Sequence, residues 1–358
     1  MHTYSHTQLH TFAKHVFMHC GMNETDAHQA ADVLIEADLR GIDSHGVARL
    51  SGYVRLWQKG RANMHPRLHI VYETPSTATL DADEGLGLVS APHAMHIAIQ
   101  KAKQVGTGWV AIRNSNHFGI AAYHAMMALP HDMIGIALTN ASPLVAPTHS
   151  KQRMLGTNPI CYAIPAGKHN PVVIDLATST AANGKLEIAQ RANKKIPYGW
   201  LQDKNGADTD NPHALKDGGV LLPLGSGKTE AGHKGFALSA LVDILSGVVS
   251  GANYGPWVPP FVAFLEPRND MPGKGIGHFV GAMRVDAFRE ADAFKKDMDQ
   301  WIDAFKSAVR IDENIPIIIP GEPEFEIKTE RLLTGIQLND LVIDDLNKLG
   351  SELGIPFS

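Results

Sequence analysis

Apolar periodicity changes once along this chain, and that change narrows the folds open to it. In the first third the apolar positions recur at helical spacing. Gln8 to His19 reads as a helix that closes at Gly21. Glu24 to Arg40 reads as a second, entered through the capping candidates Asn23 and Thr25 and closed at Gly41; Val47 to Gln58 reads as a third, stopped by Gly60. From Leu68 onward short β-type runs take over, among them Leu68 to Tyr72, Trp109 to Ile112, Ile134 to Leu138 and Val172 to Ile174, with helical segments and Gly, Pro and Asn between them. The pattern predicts an α/β chain with a boundary near residues 60 to 75. Glu290 to Val309 carries Phe294, Met298, Trp301, Ile302 and Phe305 on one side and reads as a packing helix. Leu338 to Leu353 reads as another, and its return to the N-terminal helices would complete a discontinuous domain.

The composition excludes several classes of function. With 358 residues and 44% apolar content the chain fills a core of about two domains. Cys20 and Cys161 are its only cysteines, far apart and without a CxxC spacing, which argues against a disulfide framework or zinc ribbon and suits a reducing, cytoplasmic compartment. Met1 to His10 lacks the basic patch and apolar stretch of a secretory signal. The longest apolar segment, Phe236 to Ala252, is interrupted by Asp243 and suits a buried helix better than a bilayer span, so no membrane role is expected. Net charge is −5 with dispersed basic residues, so no nucleic-acid partner is expected. His93 and His96 lie three apart on a predicted helix without a third ligand, and no metal is expected.

Polar residues concentrate in a few clusters. In Asp43-Ser44-His45-Gly46-Val47-Ala48-Arg49 an imidazole lies four residues from a guanidinium, which a helical first turn places on one face. Reduction of a 2-oxo acid needs a cation for the carboxylate and a proton donor for the carbonyl oxygen, services that Arg49 and His45 offer. The same spacing suits a helix N-cap followed by an exposed His and Arg. Arg113-Asn114-Ser115-Asn116-His117-Phe118-Gly119 follows a β-type run, where strand ends face ligand crevices, so His117 competes with His45 for the proton-transfer role; a loop that satisfies its own backbone is the alternative. Thr157 and Asn158 in Gly156-Thr157-Asn158-Pro159, and Asp175 at the head of Asp175-Leu176-Ala177, suit a cofactor laid against the backbone, or plain turns.

Two glycine loops fail their nucleotide tests. Gly85-Leu86-Gly87-Leu88-Val89-Ser90 has Ser90 where the dinucleotide fingerprint needs a third glycine, and Gly227-Lys228-Thr229 has Leu222 where a Walker A loop needs its first. Gly232-His233-Lys234-Gly235 opens an apolar helix, so helix N–H groups and the Lys234 ammonium converge where an anion such as a pyrophosphate would sit. Pro320-Gly321-Glu322-Pro323 reads as a turn whose carboxylate offers itself to a ribose hydroxyl.

In order, Asp38-Leu39-Arg40-Gly41-Ile42-Asp43-Ser44-His45-Gly46-Val47, Asn114-Ser115-Asn116-His117-Phe118-Gly119, Gly156-Thr157-Asn158-Pro159, Asp175-Leu176-Ala177, Gly232-His233-Lys234-Gly235 and Pro320-Gly321-Glu322 resemble the type 2 malate/L-lactate dehydrogenase family, over nearly the whole chain. That family also holds ureidoglycolate and sulfolactate dehydrogenases, diketogulonate reductase and cyclic ketimine reductases. The resemblance implies an α/β fold with a non-Rossmann NAD(P)-binding domain on a largely antiparallel mixed sheet, over residues 71–309, and a helical domain formed from both chain ends, 1–70 with 310–358. It implies a homodimer and hydride exchange between NAD, or NADP, and a small 2-hydroxy acid/2-oxo acid pair, malate or L-lactate first. The rival activities are reduction of a cyclic ketimine and non-catalytic nucleotide binding. By resemblance Ser44, His45 and Arg49 fall on the active-site segment and His117 on a proton-acceptor position. Asp175, Leu176, Ala177, His233, Lys234, Gly321 and Glu322 fall on cofactor segments, and Ser142 is a further candidate.

Overall fold

The computed structural model describes residues 2–191, 193–227, 230–261 and 265–357. Lys228 and Thr229 of the rejected Walker-like loop lie outside the described residues. The helices are α1 (His6–His19), α2 (Glu24–Leu39), α3 (Leu50–Gln58), α4 (Gly87–Val105), α5 (Ala121–Met126), α6 (Asn183–Arg191), α7 (Gly232–Asp243), α8 (Ala291–Lys306), α9 (Glu322–Thr334) and α10 (Asp340–Leu353). The strands are β1 (His2–Tyr4), β2 (His69–Glu73), β3 (Thr77–Asp81), β4 (Thr107–Ser115), β5 (Met133–Thr139), β6 (Ile160–Ile164), β7 (Val172–Leu176), β8 (Leu201–Gln202), β9 (Asp208–Thr209), β10 (Val220–Leu221), β11 (Ile276–Arg284) and β12 (Ile336–Leu338).

Local chemistry sets the N-terminal helices. Ser5 and Gln8 form a reciprocal capping box at the start of α1, and the side chain of Asn23 accepts from Asp26 N–H at the start of α2. Gly21 and Gly41, both at positive φ, turn the chain after each helix. The third helix starts later than its periodicity suggests. Asp43–His45 and Val47–Arg49 are separate 3₁₀ turns on either side of Gly46, and α3 begins at Leu50. The cause is a tertiary contact: the buried Asp38 carboxylate accepts from Val47 N–H at 2.8 Å and fills the space a Cβ on Gly46 would need. Burial pushes that carboxyl up to about 8.

The main sheet has seven strands in the order β2-β3-β4-β11-β5-β6-β7. β3 and β4 run parallel and the other neighbours antiparallel, so the fold is mixed α/β and not a Rossmann sheet. The Gly85 to Ser90 loop is likewise no phosphate cradle, because a Cβ on Gly87 would sit 2.6 Å from Phe118 Cβ. α4 and α5 cover the sheet over an apolar core that includes Leu80, Met95, Ile112 and Val280. A second core joins α1, α2 and α3 to Ile336, Leu338, Ile343, Leu346 and Leu349, so β12 and α10 do return to the N-terminal helices. Among the described residues no helix is long and apolar enough to cross a membrane.

Candidate active site

His45 and His117 arrive from different elements and stack, ring centroids 5.5 Å apart. His45 ends the first 3₁₀ turn, whose place is fixed by Asp38 below it and by an Arg331–Asp43 ion pair from α9. His117 stands in the loop between β4 and α5. The polar residues before it serve the scaffold: Arg113 and Asn114 donate to the Asp81 carboxylate, and Asn116 donates to Glu84 O. Ser115 lies 2.9 Å from both Ser90 Oγ and His278 Nε2. The asparagines and serine of this cluster thus satisfy structure, as the loop alternative expects, while His117 stacks on His45.

The donors around His117 define its free atom. Tyr53 Oη lies 2.7 Å from Nδ1, and Gly119 N–H reaches the same nitrogen at 3.3 Å. The tyrosine hydroxyl donates to a bare Nδ1, as Gly119 N–H does, or accepts from a protonated one when the long Gly119 contact is given up. Burial pushes the Tyr53 phenol far above its ordinary value and keeps it a hydroxyl. Nε2 has no partner among the described residues and is the atom left for substrate. Phe261 packs on the imidazole at 4.6 Å, and its N–H donates to Ser142 Oγ at 3.1 Å. Ser142 therefore supports the histidine pair from behind. Neither Tyr53 nor Phe261 was accessible to motif reading, because each reaches the site through a contact distant in sequence.

Arg49 supplies the positive charge. Its Nε donates to Ser44 O at 2.6 Å, Ser44 Oγ lies 2.9 Å from His45 Nδ1, and no carboxylate pairs with the guanidinium among the described residues. Burial, then the Arg49 charge, pushes His45 down to about 4. Burial, then His45, then Arg49, hold His117 well below the usual imidazole value. Both rings are thus neutral near pH 7, chiefly because they are buried.

Behind the pair, Phe118 lies between His124 at 4.6 Å and His278 at 4.8 Å. Burial lowers these two histidines to about 4 and about 3. Their folded pKa values are depressed, so the unfolded chain binds the extra protons. Their contribution is complete above about pH 6.5 and is lost as pH falls toward 4, with a slope of up to about 1.4 kcal/mol per pH unit per histidine. The raised Asp38 carboxyl works in the opposite sense. A comparison of His124→Gln with the parent therefore isolates the imidazole: urea midpoints measured from pH 7 to pH 4 fall less steeply in the variant.

A cavity of about 350 Å³ is lined by Arg40, Ala122, Asp175, Leu176, Gly321 and Glu324, among others. Two chain segments join the places: Arg40 leads into Ser44 and His45, and Ala122 N–H, just beyond His117, donates to Asp175 Oδ2 at 2.9 Å. Water reaches Asp175 at the cavity mouth, yet the protein packed around it pushes its carboxyl up to about 6. Thr157 O accepts from Thr178 N–H, and Leu224 N–H donates to Thr178 O. These bonds bring Thr157, Ala177 and the first turn of α7, with His233 and Lys234 exposed, alongside Asp175. Asn158 is fully buried and spends its amide on Ala141 N–H and Ser239 O, so its side chain is scaffold. Gly321 has φ +92 and lies against Val173, where a Cβ would clash. Glu322 turns away from this cavity: it pairs with Lys306 and accepts from Ile319 N–H, and Glu324 presents its carboxylate in its place.

These residues fit a nicotinamide dinucleotide. The Arg40 guanidinium is 1% exposed with no hydrogen bond on any of its nitrogens; Phe325 lies 4.5 Å beneath it, and Glu36 is 3.8 Å away. An unsatisfied cation, carboxylates suited to ribose hydroxyls and a glycine permitting close approach are what such a group requires.

Fold and cleft together set two stacked imidazoles, and an arginine without a carboxylate partner among the described residues, on a sheet that is not of Rossmann type. A family model described as malate/L-lactate dehydrogenase matches residues 4–347, and the chain belongs to that family. It is a 2-hydroxy-acid dehydrogenase and works with a nicotinamide cofactor. It is 42% identical over 349 residues to a malate dehydrogenase of Pyrococcus abyssi, covering 97% of this chain and 94% of that one. It is 38% identical over 335 residues to an L-sulfolactate dehydrogenase of Methanocaldococcus jannaschii, covering 94% and 92%. The solved structure of malate dehydrogenase from Pyrococcus horikoshii OT3 matches with a TM-score of 0.89 at 39% identity, covering 99% of this chain and 96% of that one.

Proposed function

We propose that the preferred acid pair is malate and oxaloacetate, with lactate and pyruvate second, and that the cofactor is NAD. The observation that carries the reading is the Arg49 guanidinium, without a carboxylate partner among the described residues, beside two stacked imidazoles. Arg49 grips the substrate carboxylate. His117 Nε2 gives its proton to the ketone oxygen in reduction and takes the hydroxyl proton in oxidation, while Tyr53 keeps Nδ1 hydrogen-bonded. His45, held by Ser44, stacks on His117 and fixes its plane. The cofactor, when bound, supplies or takes the hydride. Thr157, Asp175, Leu176, Ala177, His233, Lys234 and Gly321 hold it, with Arg40 and Glu324 added to the set read from sequence. Asp175 and Glu324 support NAD, since a 2′-phosphate of NADP would meet two carboxylates against the single Arg40 guanidinium of the same cavity.

The division into a helical domain, 1–70 with 310–358, and a cofactor and substrate domain, 71–309, is supported by the core that joins α1, α2 and α3 to β12 and α10, to which Leu86, Leu88 and Val89 of the second domain also contribute. The family resemblance also supports a homodimer. Leu238, Leu241, Ile244 and Val248 are exposed along α7 and the turn after it, and a second copy would cover them. A cytoplasmic location is supported by two buried, free cysteines. A panel of oxaloacetate, pyruvate and a cyclic imino acid, each with NADH and NADPH, tests the assignment. Oxaloacetate with NADH is expected to give the highest kcat/KM, and a preference for the imino acid would overturn the reading. Sedimentation of the same protein is expected to give twice the 38.8 kDa chain mass.

A further inference from the structure

Outside the cleft, α1 and α2 bring two histidines and an aspartate to one point. His10 Nε2 lies 2.9 Å from Asp32 Oδ1, and His28 Nε2 lies 3.5 Å from Asp32 Oδ2. The three donor atoms all fall within 4.8 Å of one another, and the two rings meet edge to face at 4.6 Å. We propose that His10, His28 and Asp32 form a binding site for a divalent cation of the zinc class, which ties α1 to α2.

The helical spacing builds the arrangement. His28 and Asp32 are four apart on α2 and face the same way; on α1, His6 and His10 repeat that spacing and both line a cavity of about 330 Å³ that opens over Asp32. The Gly21 reversal sets the two helices side by side, so the α1 pair meets the α2 pair. A single imidazole suffices to satisfy a half-buried aspartate. Here two imidazoles approach opposite oxygens of one carboxylate. Imidazole nitrogens and a carboxylate gathered at one point are the natural ligands of such a cation.

Each imidazole already lies against a carboxylate oxygen of Asp32, at 2.9 and 3.5 Å. Ligands about 2.0–2.1 Å from a tetrahedral zinc stand roughly 3.3 Å apart, so the three donor atoms, which fall within 4.8 Å of one another, draw together on binding. Two imidazoles with one carboxylate select zinc, cobalt, nickel or copper over magnesium and calcium, which take oxygen ligands. His6 or water completes the shell. The expectation of no metal rested on His93 and His96, which share one helix; His10 and His28 sit on different helices, and no local motif joins them.

The site is independent of the assigned catalysis, and its test does not depend on activity. Full-length protein is stripped with chelator, then titrated with Zn²⁺ by calorimetry and with Co²⁺ by visible absorption. One equivalent per chain is expected to bind at micromolar concentration or tighter, with the intense cobalt bands of tetrahedral coordination and a raised thermal midpoint. His28→Ala removes an exposed side chain and is expected to weaken binding at least about tenfold and abolish those bands, as is Asp32→Asn. His93→Ala is expected to bind as the parent does, and turnover without added metal is expected to be equal in all of them. If the parent binds no Zn²⁺ below about 100 μM, or if His28→Ala and Asp32→Asn both bind it as the parent does, the proposal fails. The second outcome would point to the His45 and His117 pair as the metal ligands.

Discussion

Replacing His117 by Asn is expected to lower turnover in both directions by about 10²- to 10⁴-fold while cofactor affinity stays within about twofold, since positioned proton transfer contributes in that range. Asn keeps a hydrogen-bonding group near Tyr53 but cannot exchange a proton. The pH profile sharpens the test. Burial, His45 and Arg49 hold the His117 imidazole well below its ordinary value, so it is neutral in the free enzyme. Oxidation of the hydroxy acid needs the neutral ring, and its kcat/KM is therefore expected to stay level on acidification until well below pH 6.5. Reduction needs the protonated ring. The substrate carboxylate, by offsetting Arg49, raises the imidazole pKa in the complex, and reduction is expected to slow as pH rises. His45→Asn is expected to cost less, because its effect passes through the stacked ring. If His45→Asn loses as much turnover as His117→Asn is expected to lose, while His117→Asn turns over normally, the two roles are exchanged; normal turnover in both removes the acid/base assignment altogether.

Much of the helical scaffold was legible because its signals are local. Asn23, Gly21 and Gly41 mark ends that the structure keeps, and the returning C-terminal helix shares the core foreseen for it. The strand at the centre of the sheet, β11, left no such mark. Its pattern is broken by Gly277, which lies under the backbone of Ser246, and by Gly281, where a Cβ would sit 2.6 Å from Trp109 Cζ3. Helix α9 was hidden by its start, since Glu322-Pro323 reads as a turn although proline suits the first helical turn. Motif order picked out Ser44, His45, Arg49 and His117, and the structure brings Ser44, His45 and Arg49 into contact and stacks His45 on His117. The residues that orient them were invisible for one physical reason: Tyr53, Phe261 and Asp38 act across the fold, through contacts that no spacing encodes. The partner of Glu322 was invisible for the same reason: Lys306 on α8 pairs with its carboxylate, and Glu324 lines the cavity.

Arg49→Ala is expected to raise KM for the 2-oxo acid by a hundredfold or more. A carboxylate held by a guanidinium gains about 1.5–3 kcal/mol per charge-assisted hydrogen bond, and each 1.4 kcal/mol is about a factor of ten. Arg49→Lys keeps the charge but not the paired donors and is expected to recover part of the affinity, with KM still raised about tenfold. The variants also separate substrate binding from support of the turn, since Arg49 Nε holds Ser44 O. A residue that merely braced the backbone would leave the titration of its neighbours alone. Burial holds both His45 and His117 down and the Arg49 charge adds to it, so removing that charge lets both rings rise part of the way. The acidic limb of kcat/KM for hydroxy-acid oxidation is therefore expected to move to higher pH in Arg49→Ala and to stay near the parent position in Arg49→Lys. An unchanged KM in Arg49→Ala, with an unmoved acidic limb, would mean that the substrate carboxylate is held by another cation and that the cleft is oriented differently from the arrangement derived above.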